Sequence, residues 1–259
     1  MNKTILSIRE VCYAYQNGRD FTFEKVSFEI PQNSITSILG RNGAGKTTLL
    51  LILLELIKPQ KGEVLYYGNY SDEWDNRYNQ KIAYLPQFES APAGMMVADY
   101  LLMGRIPYIS PFLSPNKGDV ALVEKYAKLI KIDHLLSFPL GKISGGELQR
   151  VRFCRGLVQE SDLILLDEPI THLDLNAKYS MLELMQALKE MGKTIIFTTH
   201  DPVEAVKISD YALLIGTNHQ IEFGKREDIL TDRNLSDCFG LPIRIITSGK
   251  SISCVVDKL

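Results

Sequence analysis

The stretch Gly40-Arg41-Asn42-Gly43-Ala44-Gly45-Lys46-Thr47-Thr48 limits what this chain can fold into more than any other. It fits the phosphate-binding pattern G-x-x-x-x-G-K-[ST]. Ser34-Ile35-Thr36-Ser37-Ile38-Leu39 before it reads as a short buried strand, and Lys46 to Ile57 after it reads as a helix. A strand, a glycine turn and a helix are the context this motif needs. Gly40, Gly43 and Gly45 let the backbone come close to a phosphate. The loop amides form an anion nest, and the helix adds its positive end. Lys46 can reach the β and γ phosphates, and the Thr47 hydroxyl can ligate Mg²⁺.

The rest of the chain must then supply a nucleotide-binding α/β domain. With 259 residues, 45% hydrophobic and 23% charged, it can bury a real core, as one domain with a subdomain or two small domains. A net charge of −2 gives no field that would recruit nucleic acid or a membrane surface. The longest apolar run, Leu49 to Leu54, is too short to span a bilayer. The first residues carry no signal-peptide core, so a cytosolic chain is expected. Cys12, Cys154, Cys238 and Cys254 are scattered and read as small apolar fillers.

Residues 4–11 and 21–30 read as strands, with a turn at Asn17-Gly18 between them. Tyr15 follows the first strand. By itself it is more simply a sheet aromatic than a base-stacking ring. Gly62 to Gly68 and Ile82 to Leu85 are further strands, the latter followed by Pro86-Gln87. From about 95 to 160 the pattern turns helical, over Val97 to Arg105 and Lys117 to Ile130. The three prolines between Ile106 and Pro115 predict an irregular loop.

Ser144-Gly145-Gly146-Glu147 has the spacing of a capping box. Two glycines in a helix's first turn destabilise it by roughly 1 kcal/mol each relative to alanine, which points to close approach by something external. Leu163 to Leu166, after Asp162, reads as a buried parallel strand of four apolar residues ended by Asp167-Glu168. Ligands of parallel sheets sit at such ends. Asp167 can hold a Mg²⁺ shell, and Glu168 can orient or deprotonate water. Asn176 to Met191 is a helix, Thr194 to Thr198 a strand before His200, and Tyr211 to Ile215 and Gln220 to Phe223 late strands. The tail mixes one short helix with strands at Ile243 to Thr247 and Ile252 to Val256.

Taken in this order, the chain resembles the nucleotide-binding ATPase of ABC transporters over almost its whole length. Gly40 to Thr48, with Asn42, Lys46 and Thr47, matches Walker A. Gln87 matches the Q-loop glutamine, and Ser144-Gly145-Gly146-Glu147 the signature, whose last position is more often glutamine. Leu163 to Asp167 matches Walker B and Glu168 the catalytic glutamate. Asp174 matches the D-loop aspartate and His200 the switch histidine. In that frame Tyr15 looks like the aromatic that stacks on adenine. Ile170 departs from a common threonine and puts no catalytic group in doubt.

The resemblance implies an α/β fold. A P-loop NTPase (RecA-like) core with an N-terminal antiparallel β subdomain takes 1–87 and 161–259, and an inserted helical subdomain takes 88–160. It implies ATP and Mg²⁺ as cofactors, with Thr47, Gln87 and Asp167 around the metal. It implies a head-to-tail homodimer in which Ser144, Gly145 and Gly146 of one copy close over the other's γ-phosphate. Glu168 would activate water and His200 hold the γ-phosphate. Membrane permease subunits and, indirectly, a solute-binding protein would be partners at the cytoplasmic face of the membrane; no nucleic acid is expected. Leu102-Met103-Gly104-Arg105-Ile106-Pro107 resembles a stretch of ATPases serving iron-siderophore, haem and cobalamin importers. The alternatives within the fold are an ATPase of iron–sulfur cluster assembly and a non-transport ATPase acting on nucleic acid. A permease groove is expected on the helical part, walled by Phe88, Met95, Met96, Tyr100 and Met103.

Overall fold

A computed structural model describes residues 3–15, 23–70, 78–89, 92–110, 113–171, 173–217, 220–249 and 251–257. In chain order the elements are β1 (Thr4–Tyr13), β2 (Phe23–Pro31), β3 (Ile35–Gly40), α1 (Lys46–Leu53), β4 (Lys61–Tyr66), α2 (Tyr78–Lys81), β5 (Ile82–Leu85) and α3 (Val97–Leu102). Then come α4 (Lys117–Leu129), α5 (Gly145–Val158), β6 (Leu163–Leu166), α6 (Leu175–Glu190), β7 (Thr194–Thr199) and α7 (Pro202–Ile208). β8 (Tyr211–Ile215), β9 (Ile221–Lys225), α8 (Arg226–Ile229), α9 (Asp232–Phe239), β10 (Ile243–Ser248) and β11 (Ser251–Val256) close the chain. The turn expected at Asn17-Gly18 lies outside the described residues. Two compact units are formed, Met1–Trp74 with Met185–Leu259, and Asp75–Leu184.

In the first unit, β1 pairs antiparallel with β2 and β4. β3 runs parallel between β7 and β8, and β9 returns antiparallel on β8. All six residues of β3 are buried, as a strand covered on both faces requires. Phe28 of β2 stacks on Phe223 of β9 with centroids 5.2 Å apart, tying the antiparallel sheet to the parallel one. The tail packs beneath β3: Leu39 shares a buried cluster with Leu230, Leu235, Cys238 and Ile243. β10 and β11 form a hairpin whose Ile245, Ile252 and Cys254 cover that cluster.

In the second unit, β5 and β6 pair parallel, with Leu85 opposite Leu166. Helix α5 approaches two neighbours closely. A Cβ at Gly104 would stand 2.4 Å from the Arg155 carbonyl oxygen, and one at Gly156 would stand 2.4 Å from a Leu85 methyl. Arg105 and Asp119 form a buried ion pair at 3.0 Å, and Arg105 also donates to the Val158 carbonyl at 3.0 Å. Asp119 belongs to the capping box with Asn116 that starts α4.

Several boundaries differ from expectation for local reasons. α1 stops at Leu53, not Ile57, because Glu55 turns left-handed at φ 54°. The Leu56 amide then bonds the Leu51 carbonyl and the Glu55 amide the Ile52 carbonyl, a Schellman ending without glycine. The helix from Val97 tightens after Leu102 into a 3₁₀ segment, Met103–Tyr108, which takes in part of the expected loop. Pro107 would meet the carbonyl four residues back in an α-helix, and a 3₁₀ turn relieves this. The tail has two helices, not one. Thr231 caps the second and Gly240 ends it at φ 69°. α7 was not anticipated, although Asp201 as N-cap and Pro202 at its first position are its signals. Of the cysteines, Cys12, Cys154 and Cys238 are buried and Cys254 is half-buried.

Candidate functional site

In the first unit the loop after β3 is shaped by its glycines. Gly43 and Gly45 have φ of 81° and 99°, which only glycine adopts easily. Lys46 is 6% exposed, and its Nζ donates to the carbonyls of Gly40 at 3.1 Å and Arg41 at 3.2 Å. The ammonium is thereby curled back over the loop. No side chain caps α1 at Gly45, and no acid stands in its first turn. A helix start with neither a side-chain cap nor an acid is one that suits an anion. Asn42 is exposed at the tip of the loop. Gly40 is pressed against Ile215, a Cβ there lying 3.1 Å from its carbonyl oxygen.

Tyr15 is half exposed beside this loop. Its hydroxyl lies 2.7 Å from Thr48 Oγ1, and Tyr13 meets its ring edge-on at 5.2 Å. Two contacts hold the ring upright and leave much of it in solvent. His200 leaves the end of β7 exposed. The β3–β7 register puts Leu39 opposite Thr199, so His200 and Gly40 leave adjacent strand ends. The turn carrying His200 is tied on both sides: Thr199 Oγ1 accepts from the Asp201 amide at 3.0 Å and donates to buried Glu204 at 2.5 Å.

In the second unit, β5 and β6 end together and bring Gln87, Asp167 and Glu168 to one edge. Asp167 is 3% exposed, and its amide bonds the Leu85 carbonyl at 2.9 Å. Burial, helped by the Asp167 charge, pushes the Tyr84 phenol up to about 12. Gln87 Nε2 donates to Glu168 Oε2 at 3.1 Å, and Thr171 Oγ1 donates to the same oxygen at 3.0 Å. Glu168 itself sits at φ 45°. Asp174 caps α6 through the Ala177 amide at 2.8 Å. Ile170, where a threonine is common, is buried.

Ser144 opens α5 with the capping box expected of it. Its Oγ accepts from the Glu147 amide, and Glu147 accepts from the Ser144 amide at 2.8 Å. Those bonds, the amide first and the hydroxyl second, hold the Glu147 carboxyl below the usual range. Gly145 and Gly146 have open space where a Cβ would stand and no left-handed φ. Nothing among the described residues therefore requires glycine there.

Of the expected groove wall, Phe88 is 77% exposed and Met103 is partly exposed, while Met95 and Met96 are half-buried. Tyr100 does not belong to it. It is 1% exposed, its hydroxyl donates to Glu89 at 2.7 Å, and it is part of the unit's core. A helix face cannot be assigned to core or groove from its period alone. Met103 instead lines an apolar recess of about 380 Å³ with Leu102, Ile106, Ile109, Leu113 and Pro115. Sequence reasoning also passed over Glu89, Arg152 and Arg155, which meet beside Gln87.

Among the described residues no cluster of three or more His, Cys, Asp or Glu side chains could hold a metal alone. Thr47 hydroxyl, Gln87 amide and Asp167 carboxylate are oxygen donors of the kind Mg²⁺ takes when phosphates complete its shell. No helix among the described residues is long and apolar enough to cross a membrane.

The model of the ABC transporter family matches residues 23–171. A molybdate import ATP-binding protein of Haemophilus influenzae is 34% identical over 94% of this chain and 90% of its own. An iron(3+)-hydroxamate import ATP-binding protein of Bacillus subtilis is 30% identical over 88% and 86%. Among solved structures, a metal-chelate type ABC transporter in an inward-facing conformation matches with a TM-score of 0.87 and 31% identity, over 98% of each chain. An ATP-binding cassette in its ADP conformation shares the fold at a TM-score of 0.78. With the family model matched over more than half of the chain and relatives at 30% identity or more over most of it, this chain belongs to the ABC transporter family as an ATP-binding subunit that hydrolyses ATP.

Proposed function

We propose that this chain powers import of a metal chelate or a related metal-bearing solute, as one of two identical ATPase subunits beneath a membrane permease. One observation carries the two-subunit reading. Gly145 and Gly146 are uncrowded by any of the described residues, at the start of a helix whose cap is already satisfied. A γ-phosphate held by the phosphate loop of a second copy is the anion that bare amides at a helix start would suit.

In this reading Gly40, Asn42, Gly43, Gly45, Lys46, Thr47 and Thr48 bind the phosphates, and Tyr15 stacks on adenine. Thr47, Gln87 and Asp167 would hold Mg²⁺, which would neutralise phosphate charge. Glu168 accepts a proton from the attacking water. His200 steadies the γ-phosphate, and Asp174 with Ser144 belongs to the subunit boundary. Residues 88–160 act as a helical subdomain. Its Met103-lined recess and exposed Phe88 receive a cytoplasmic helix of the permease, the unbranched Met103 side chain suiting an adaptable apolar contact. The chain then works as a peripheral protein on the cytoplasmic face, with a solute-binding protein on the far side of the permease.

The import reading draws on the relatives, named for molybdate and iron-hydroxamate import, and on the metal-chelate type structure. It is tested by capturing the tagged chain from detergent-solubilised host membranes. The expected result is co-purification of a multi-span permease that, in proteoliposomes, takes up a ferric hydroxamate, haem, cobalamin or molybdate on ATP. Capture of iron–sulfur assembly proteins, or ATP hydrolysis stimulated by nucleic acid, would overturn it.

A further inference from the structure

Helix α5 does more than present Ser144. Along its length it touches each loop that carries a proposed catalytic group of its own unit. Gln149 Nε2 donates to the Pro169 carbonyl at 3.0 Å, next to Glu168. Little more than one turn further on, Arg152, Arg155 and Gly156 meet the end of β5 and the loop that follows it. Gly156 lies against Leu85, with no room for a Cβ. Arg155 Nη1 pairs with Glu89 Oε1 at 2.8 Å, and Arg152 Nη2 donates to the Glu89 carbonyl.

Glu89 is the hub of that contact. Its second carboxylate oxygen accepts from Tyr100 at 2.7 Å, and the Arg155 guanidinium lies 5.2 Å from the Tyr100 ring centroid. The ion pair is largely shielded, at 19% and 18% side-chain exposure. Arg155 is itself held in place, because Gly104 packs on its carbonyl. Gln87 therefore sits between two fixed points, Leu85 on one side and Glu89 on the other, both strapped to α5. Its own amide reaches Glu168.

We propose that Glu89 is a positioning residue for ATP hydrolysis: by clamping the loop to Arg152, Arg155 and Tyr100, it locks Gln87 to the helix that begins at Ser144. This rests on the role given to Gln87 above. Occupancy at Gln87 and the posture of α5 then move as one rigid piece. No short motif marks the clamp, because its partners are 11, 63 and 66 positions away in sequence.

The test is steady-state ATP hydrolysis by the full chain with Mg²⁺, for Glu89→Ala, Glu89→Gln, Gln87→Ala and Gln87→Ala with Glu89→Ala. Glu89→Ala is expected to lower kcat about tenfold with KM for ATP within about twofold of wild type, the pattern of a lost transition-state arrangement. Glu89→Gln keeps an acceptor for Tyr100 and should lose only about threefold. The double variant should be no slower than Gln87→Ala, because Glu89 acts through Gln87. A packing role alone would instead lower the melting temperature and raise KM together. If Glu89→Ala precipitates, Glu89→Gln carries the same comparison, and a wild-type kcat for it overturns the proposal. A slow Gln87→Ala beside a fast Glu89→Ala overturns this inference and leaves the role of Gln87 standing. A Gln87→Ala chain at wild-type rate overturns both.

Discussion

Gln87 and Thr171 donate to the same oxygen of Glu168, at 3.1 and 3.0 Å, from opposite sides in sequence. Two donors on one oxygen fix the rotation of the carboxylate. The group proposed to take the proton from water is thus aimed by the chain's own side chains, and positional catalysis gains from such aiming.

Replacing Glu168 with Gln keeps the shape and the acceptor for both donors but removes the proton acceptor. Phosphate release is expected to fall by about a hundredfold or more, the usual worth of a general base. ATP still binds, so a nucleotide-loaded dimer should accumulate on size-exclusion chromatography with ATP and Mg²⁺. Hydrolysis near the wild-type rate would remove Glu168 from the mechanism.

Lys46→Ala should lose ATP binding in a nucleotide titration, and Ser144→Arg should retain it while losing turnover. Neither chain alone hydrolyses ATP. Mixed, they can form a heterodimer with one intact composite site, and about half the wild-type rate per dimer is the most that additive, independent sites allow. Full turnover by Ser144→Arg alone would mean that each site lies within one chain.

The Arg105–Asp119 pair is buried, with Arg105 also spanning to the Val158 carbonyl and lying 3.9 Å from the Tyr108 ring centroid. Asp119→Ala leaves that guanidinium buried without its carboxylate. A loss of about 3 kcal/mol in urea unfolding is expected, as for other broken buried pairs. Asp119→Asn, which keeps an acceptor, should cost less. Equal, small losses for both would show the pair to be inert.

Glu147 supplies a pH dependence of known sign. Its pKa is depressed in the folded chain below the ordinary 4.5. Its contribution is therefore present above the unfolded-state value and lost as pH falls through the folded one. In Glu147→Gln the capping box survives but cannot titrate. Melting curves of the two chains should differ at neutral pH and converge as pH falls below the ordinary 4.5 and through the depressed folded-state value, where the carboxylate takes up its proton. Curves that stay parallel throughout would detach the cap from stability.

What could be read in advance was local. The phosphate loop, the Ser144 box and the acid-tipped strand each declare themselves within nine residues, because backbone conformation and capping depend on near neighbours. The parallel core followed from those pieces. What could not be read lies in contacts between distant residues of like period. Tyr100 carries the same helical spacing whether it faces a groove or Arg155. Arg105 looked like the end of a helix until Asp119 closed on it from 14 positions away. The left-handed Glu55 that stops α1 gave no glycine or asparagine to mark it.

Glu168 leaves β6 at φ 45°, a conformation that disfavours every residue with a Cβ by about 1 kcal/mol or more. Glycine would relax there and discard the carboxylate. A library of this chain sorted on heat resistance alone would drift toward glycine at 168, while one sorted on ATP consumption would hold the acid. Durability and work pull in opposite directions at that single peptide, and a lineage freed from transport would be expected to lose its catalyst there first.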